Sequence, residues 1–422
     1  MLRSMFAAIS GLRNHQTMMD VVGNNIANIN TTGFKGSNVV FSEVLSQTLR
    51  GAGAASTNSG GSNPTQVGLG SRISAITSSF SQGALQRTNR STDFAIQGDG
   101  FFGIDQGGEK LYTRAGSFSV DGLGRLVTQD GGLVQGWQSK GGTVTTTGPV
   151  GAIVIPVGDL IPPVRTANIS IGGNLPSDAA VGTEVTSAAD VFDGQGSQTS
   201  LRFEFTKTAT DAWTVTARYV DSAGALQPPP PAAGQALTGG ALTFDASGAI
   251  TSGSSFTVPQ GFIPGFTTQD ITVGLGTATG ANHLSQYGKL TSVAVLDQDG
   301  QSAGSLQGFS VSQDGLLVGS YTNGRTRPIG QIALTNFANP EGMEKAGGST
   351  NYRATVNSGL PQTGVAGAGG RGFISGGSLE MSNVDLAQEF TNLIIAQRGF
   401  QANSRVVTTS DEMLQEVVNL KR

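Results

Sequence analysis

Few residues in this sequence are equipped for catalysis, and each candidate can be weighed by its neighbours. Gly98-Asp99-Gly100-Phe101-Phe102-Gly103 spells G-x-G-x-x-G. Dinucleotide binding needs that spacing between a strand and a helix, whose N-terminal N–H groups hold the pyrophosphate. Here a second strand-like run follows, so a tight turn is expected instead. Gly274-Leu275-Gly276 follows a strand-like Ile271-Thr272-Val273 and also lacks an apolar helix after it. Asp297 and Asp299 before Gly300 look like the opening of a calcium loop, but Gly308 stands where the terminal Glu is required. The two histidines, His15 and His283, form no His-x-x-His pair, and His15 is expected on a helix surface. There is no P-loop and no G-x-S-x-G elbow. Without cysteine there is no thiolate metal site, thiol nucleophile or disulfide. The expectation is a protein that is not an enzyme and holds no cofactor and no metal.

The elements that remain are positioned to make surfaces. Both ends read as long amphipathic helices. At the start, Leu2, Ile9 and Gln16 recur every seven residues, beside Met5, Leu12, Met19 and Ile26 on a second row. At the finish, Leu386, Leu393, Phe400, Val407 and Leu414 hold the same period, flanked by Phe390 and Val418. Two such rows make a coiled-coil seam. The first helix is expected over residues 2–28. The second is expected over 383–420, with Ser382 as cap, Asp385 as capping-box acid and a Met381–Leu386 staple. Gln397, Ser404 and Asp411 interrupt one row of the second helix, so a simple two-helix zipper would be mediocre. Packing on several sides, as in a many-subunit assembly, suits these helices better, with a long helical hairpin folded onto the β domains of a monomer as the alternative. Contacts completed on neighbouring copies generate rings or filaments.

Between the helices the chain is β-type and glycine-rich. At 422 residues, with 63 glycines and 15 prolines, it exceeds what one core organises. Charged residues make up 13%, the net charge is −4, and no basic face stands out, so nucleic acid is not an expected partner. No apolar run approaches a membrane span. The apolar run from Met5 to Ile9 is too short for a cleaved secretory signal.

Residues 34–50 are again patterned with apolar residues, whereas Gly51 to Pro64 reads as a linker or surface loop. Phe118, Val120, Gly124, Leu126 and Val127 match Phe309, Val311, Gly315, Leu317 and Val318 at one constant offset, and each copy reads as a β-hairpin. In Leu201–Val220, Leu201, Phe203 and Phe205 alternate with Arg202 and Glu204, and Trp213 and Val215 continue the pattern, which is a ribbon with one buried face. Pro228 to Pro231 reads as a stiff spacer. The fold class expected is mixed and mainly β: two nested β-rich domains with terminal α-helices forming a coiled-coil-like assembly domain. The boundaries expected are 1–33 with 376–422 for the helices and 34–70 for a connecting segment. The β-rich domain takes 71–140 with 284–362, the inserted outer β domain 141–283, and a linker 363–375.

The stretch Asn24-Asn25-Ile26-Ala27-Asn28-Ile29-Asn30-Thr31-Thr32-Gly33-Phe34-Lys35 strongly resembles the axial proteins of the bacterial flagellum, the family of rod and hook subunits. Ser382-Asn383-Val384-Asp385-Leu386 and Ala396–Arg405 are similar to the same family. So are Asp93–Phe102 and Tyr112–Phe118. Length and insertion point to the hook branch, and Gly173-Asn174-Leu175-Pro176 and Leu242-Thr243-Phe244-Asp245 look like its outer domain. Val44–Gly68 instead resembles an extra stretch of the distal rod branch, which stays as the alternative. A secreted β-rich binding module is a third reading. The resemblance implies a structural subunit that polymerises with itself into a curved, flexible tube carrying torque. It implies export through the flagellar type III apparatus without a cleaved signal peptide, and rod, hook-cap and hook–filament junction proteins as partners. It also implies that Leu2, Met5, Ile9, Leu12, Met19, Ile26, Leu386, Phe390, Leu393, Phe400, Val407, Leu414 and Val418 form the assembly interface.

Overall fold

The computed structural model describes residues 2–54, 60–158, 160–220, 238–263, 265–266, 269–276, 283–347 and 350–419. The expected spacer at Pro228–Pro231 and the end of the last helix at Leu420 lie outside these. The fold is mainly β with one long helix at each end, α1 (Leu2–Ala27) and α2 (Leu386–Asn419). Among the described residues no helix is long and apolar enough to cross a membrane.

α2 starts three residues later than the capping motif suggested. Asp385, not Ser382, is its N-cap: Asp385 Oδ1 accepts from the N–H groups of Ala387 at 2.8 Å and Gln388 at 3.3 Å. Those are the donors that a helix start leaves without partners. Ser382 Oγ accepts from Val384 N–H, which lies before the helix.

The chain divides into two compact units. The first comprises Met1–Val157, Gly308–Gly319 and Arg327–Arg422, and the second Gly158–Gln307 with Ser320–Thr326. Both expected edges of the insertion therefore move. Residues 284–307 belong to the second unit because Leu284–Tyr287 and Ala294–Gln298 both pair with Asn168–Pro176, and Leu284 is buried in that unit's core. Residues 141–157 stay with the first unit, where Gly151–Ala152 pairs with Leu133–Lys140.

In the first unit the expected connecting segment is an antiparallel ribbon. β1 (Ser37–Glu43) pairs with β4 (Ser71–Ser78), and β2 (Ser46–Arg50) with β3 (Thr65–Gly68). Residues 55–59, within the expected linker, lie outside the described residues, and Gly53 and Ser62 bridge the ribbon on either side. Beyond it, Phe101–Gln106 pairs with Glu109–Thr113, Leu133–Lys140 and Leu334–Asn336. Phe101, Tyr112, Phe337 and Tyr352 form an aromatic core against Phe80. The returning chain retraces the outgoing one. Phe373–Gly376 pairs with Phe94–Gln97, and Ser378–Glu380 with Leu85–Arg87. The expected linker 363–375 is thus strand-paired at both ends, since Gln362–Gly364 also pairs with Leu334–Asn336.

The hairpin repeat has a shared turn. Asp121 N–H donates to Arg125 O and Gly124 N–H to Asp121 O; at the same offset, Ser312 donates to Leu316 and Gly315 to Ser312. Gly124 and Gly315 sit at φ +79° and +84°, which favours glycine at that position of the turn.

The second unit is a two-sheet β domain. One sheet runs Glu184–Phe192, Gln198–Ala209, Ala212–Val220, Thr238–Phe244 and Ile250–Ser252 in order. The other centres on Asn168–Pro176. Leu201, Phe203, Phe205, Trp213 and Val215 are fully buried between them. On the opposite face Glu204 pairs with Arg218 at 2.9 Å and Arg202 at 3.6 Å.

Candidate functional site

α1 and α2 pack antiparallel, and three pairs fix their register. Asn25 Nδ2 donates to Glu389 Oε1 at 3.2 Å. A methyl group built on Gly399 would lie 2.5 Å from the His15 ring, and one on Gly11 2.8 Å from Asn403 Nδ2. Each step forward along α1 is matched by an equal step back along α2. The glycines let the two backbones approach, and His15 and Asn403 each fill the space opposite one.

This seam differs from the rows read in the sequence. Its buried positions are Ala8, Val22 and Asn25 on α1 and Glu389, Ala396 and Ser410 on α2, a small and polar set. On α2 the row facing α1 is 389, 396, 403, 410, with Asn403 half-buried, one residue earlier than Phe390 and its interrupted row. Leu393, Phe400, Val407 and Leu414 alternate with it and are half-buried. Met5, Ile9, Leu12, Met19 and Ile26 are also half-buried, and the side chain of Leu2 lies outside the described residues. Leu386, Phe390 and Val418 are exposed, as are Phe6, Ile394, Ile395, Val406, Met413 and Val417. Residue size explains the shift: with glycine at positions 11 and 399, the larger apolar residues fit outside the closest approach. By this register α1 begins opposite residue 412, so Met413–Asn419 run past its start. His15, expected on the surface, is half-buried between Gly399 and Phe41, whose ring centroid is 6.1 Å away.

The other side of α1 meets the ribbon. Asn14 Nδ2 donates to Ser71 Oγ at 2.8 Å, and Ser71 N–H donates to Ser10 Oγ at 3.2 Å.

The asparagine-rich stretch is a lock between the chain ends. Asn25 accepts from Ser37 N–H and donates to Ser37 O. Asn28 Nδ2 donates to Asn24 O and accepts at Oδ1 from Thr31 Oγ1, which rounds off the helix end. Ala27 and Asn30 are exposed. Gly33 has φ +69° and lies against the Ala115 backbone, where a side chain would collide. Its N–H donates to Glu380 O at 2.7 Å. Phe34 is buried beneath the Lys345 ammonium, 5.0 Å from the ring centroid, and burial lowers the Lys345 pKa.

Lys35 has no exposed surface. Its Nζ donates to Glu380 Oε1 at 2.6 Å and Ser81 O at 2.7 Å. Arg114 reaches Glu380 Oε2 at 3.4 Å and lies over the Phe101 ring. Gly83 N–H completes the carboxylate's shell. Two buried cations thus share one buried anion. Burial lowers the pKa of both Lys35 and Arg114, with Glu380 opposing the shift in each. Asn383 closes the arrangement, accepting from Gly36 N–H and donating to Ser79 O. Burial also raises the pKa of Glu389, against the Asn25 and Asn392 amides. The sequence motif flagged Lys35 and Arg114 but not Glu380, whose pairing is a long-range fact without a local signal.

The motifs tested for chemistry serve the backbone. Gly98 and Gly100 turn the chain between Phe94–Gln97 and Phe101–Gln106. Asp299 accepts from Ala167 N–H, Asn168 N–H and Asn168 Nδ2. His283 O accepts from Gly173 N–H. Among the described residues no group of three or more His, Cys, Asp or Glu is arranged to hold a metal ion.

Comparison with known proteins gives one consistent grouping. Residues 5–35 match the flagella basal body rod protein family, and residues 375–420 the flagellar basal body rod FlgEFG protein C-terminal family. Residues 95–174 match the flagellar hook protein FlgE/F/G D1 domain, and 167–301 the flagellar basal body protein FlaE D2 domain. The flagellar hook proteins FlgE of Borreliella burgdorferi and Treponema pallidum are 36% and 37% identical, each over 100% of both chains. The flagellar basal-body rod protein FlgG of Bacillus subtilis is 32% identical over 100% of both. The Helicobacter pylori flagellar hook protein FlgE2 structure shares the fold, with TM-score 0.50 and 16% identity over 68% of this chain and 98% of that one.

Proposed function

The chain belongs to the flagellar hook protein family and is a structural subunit of the bacterial hook; from that premise we propose how its ends assemble it. The terminal helices are the assembly elements. One observation carries this: the α1–α2 seam inside the chain is small and polar, while Phe6, Phe390, Ile394, Ile395, Val406, Met413 and Val417 remain exposed. Apolar side chains displayed along one helix pair mark a protein contact. Copies of the chain cover them, and Leu386, Phe390 and Val418 belong to that contact. Leu2, Met5, Ile9, Leu12, Met19, Ile26, Leu393, Phe400, Val407 and Leu414 back it from the chain's own helix pair. The polymer is a curved tube acting as a flexible joint between rod and filament. Its subunits reach it through the flagellar export apparatus, and it meets the rod, the hook cap and the hook–filament junction proteins.

Purified full-length protein is expected to form tubes visible by electron microscopy. Phe390→Asp with Ile394→Asp is expected to abolish them while the protein keeps its β-sheet circular dichroism. Tubes of unchanged length and number from that variant would reject the assembly reading. The distal rod alternative has its own support in the full-length match to the Bacillus subtilis rod protein. Straight, stiff polymers in place of curved, flexible ones would favour it.

A further inference from the structure

Resting on the assembly reading above, we propose that an outward stripe of charge on α2 sets the axial stagger between parallel copies. Arg398, Arg405 and Glu412 follow one another at heptad spacing, and Glu416 lies one turn beyond Glu412. The first three sit two residues after the seam positions Ala396, Asn403 and Ser410. At about 100° per residue they point away from α1. All four are exposed. Arg398 donates only a long bond to Gln401, and none of the four is in an ion pair among the described residues. Among the described residues no ion pair uses this charge.

The order along the stripe is two cations, then two anions. Subunits of a head-to-tail polymer all point the same way. Two parallel copies of α2 in register would set arginine against arginine and glutamate against glutamate. Sliding one copy along by eleven residues brings Arg405 opposite Glu416, by fourteen Arg398 opposite Glu412 and by eighteen Arg398 opposite Glu416, whereas seven sets Arg405 opposite Glu412 but also Arg398 opposite Arg405. The favoured stagger is therefore centred on fourteen residues, within roughly 17–27 Å at 1.5 Å per residue. The occupant of the stripe is a second copy of this chain, because the same surface carries both halves of the complementarity. Exposed charges of this kind fix register and reject wrong alignments more than they add affinity. The exposed apolar side chains beside them supply the attraction.

The test uses full-length protein. Arg398→Glu with Arg405→Glu should raise the critical concentration for polymerisation by roughly tenfold or more. Glu412→Arg with Glu416→Arg should do the same. Combining all four substitutions inverts the stripe but keeps its complementarity, so polymerisation should return. A structural defect in either arginine or glutamate pair would not be rescued that way, so failure of the fourfold variant overturns the proposal. The cysteine-free chain also allows a direct measurement. Gln401→Cys and Gln415→Cys protein, copolymerised and oxidised, should yield 401–415 linked dimers. Links of 401 to 401 alone would overturn the stagger. Unmodified protein that forms no polymer would instead overturn the assembly reading on which the stagger depends.

Discussion

Removing the shared anion should cost more than removing one of the cations it serves. Lys35, Arg114 and Glu380 are all essentially buried, with ion-pair distances of 2.6 and 3.4 Å. Glu380→Gln leaves two unpaired cations in the interior. Breaking a buried pair by deleting one partner typically costs about 3–5 kcal/mol, and this case belongs at the upper end. Lys35→Met leaves Arg114 and Glu380 as a balanced pair, with Gly83 N–H still bonded. Its cost should be about 1–3 kcal/mol, from the ammonium bonds lost at Glu380 Oε1 and at Ser81 O, which keeps Asn383 Nδ2 as a donor. The assay is urea unfolding read by tryptophan fluorescence. Trp137 lies in the first unit and Trp213 in the second, so a Trp213→Phe background isolates the unit that holds the lock. With a slope of roughly 2 kcal/mol/M, Glu380→Gln should lower the Trp137 midpoint by about 2 M and Lys35→Met by about 1 M. Equal shifts, or a smaller one for Glu380→Gln, would refute the charge accounting.

Two further outcomes follow from the helix seam. Gly399→Ala should destabilise the helix pair by about 1–3 kcal/mol, since the methyl group has no room beside His15. Adding His15→Ala should recover part of that loss, measured as non-additivity in thermal melts of assembled tubes. Glu389, whose pKa is raised in the fold, favours its protonated form there. Its contribution is therefore fully present at pH below the unfolded carboxylate range and is lost as pH rises through the raised value. Tubes should dissociate less readily on mild acidification than near neutrality. Glu389→Gln should flatten that dependence, and an unaltered pH profile would count against it.

The helices, the nested β organisation and the hairpin repeat could be read from local pattern, because period, turn chemistry and glycine placement are encoded within a few residues. The ribbon at 37–78 was harder, since its tip is so rich in small residues that it reads as linker. The seam register was missed by one residue on α2. A hydrophobic count favours Phe390 over Glu389, but the close approach at Gly399 and Gly11 selects the smaller row. Likewise Leu284 shows no local sign of which core it enters; its partner strand begins more than a hundred residues earlier. The lock on Glu380 depends on residues 297 and 345 positions away, and no periodicity carries that information.

The distance between the facing ends also favours an order in time. Asn25 and Glu389 are 364 residues apart in sequence. Closing so long a loop in an unfolded chain costs about 5 kcal/mol beyond a constant. Once Leu85–Arg87 has paired with Ser378–Glu380, only about 70 residues remain in the open loop, and the cost falls by roughly 1.5 kcal/mol. The helix pair therefore closes at lower cost after the strands between its ends have paired. The surface of α2 that receives another copy takes its final register most readily in a subunit whose interior is already folded, so a half-folded chain is the poorer one to add to the polymer.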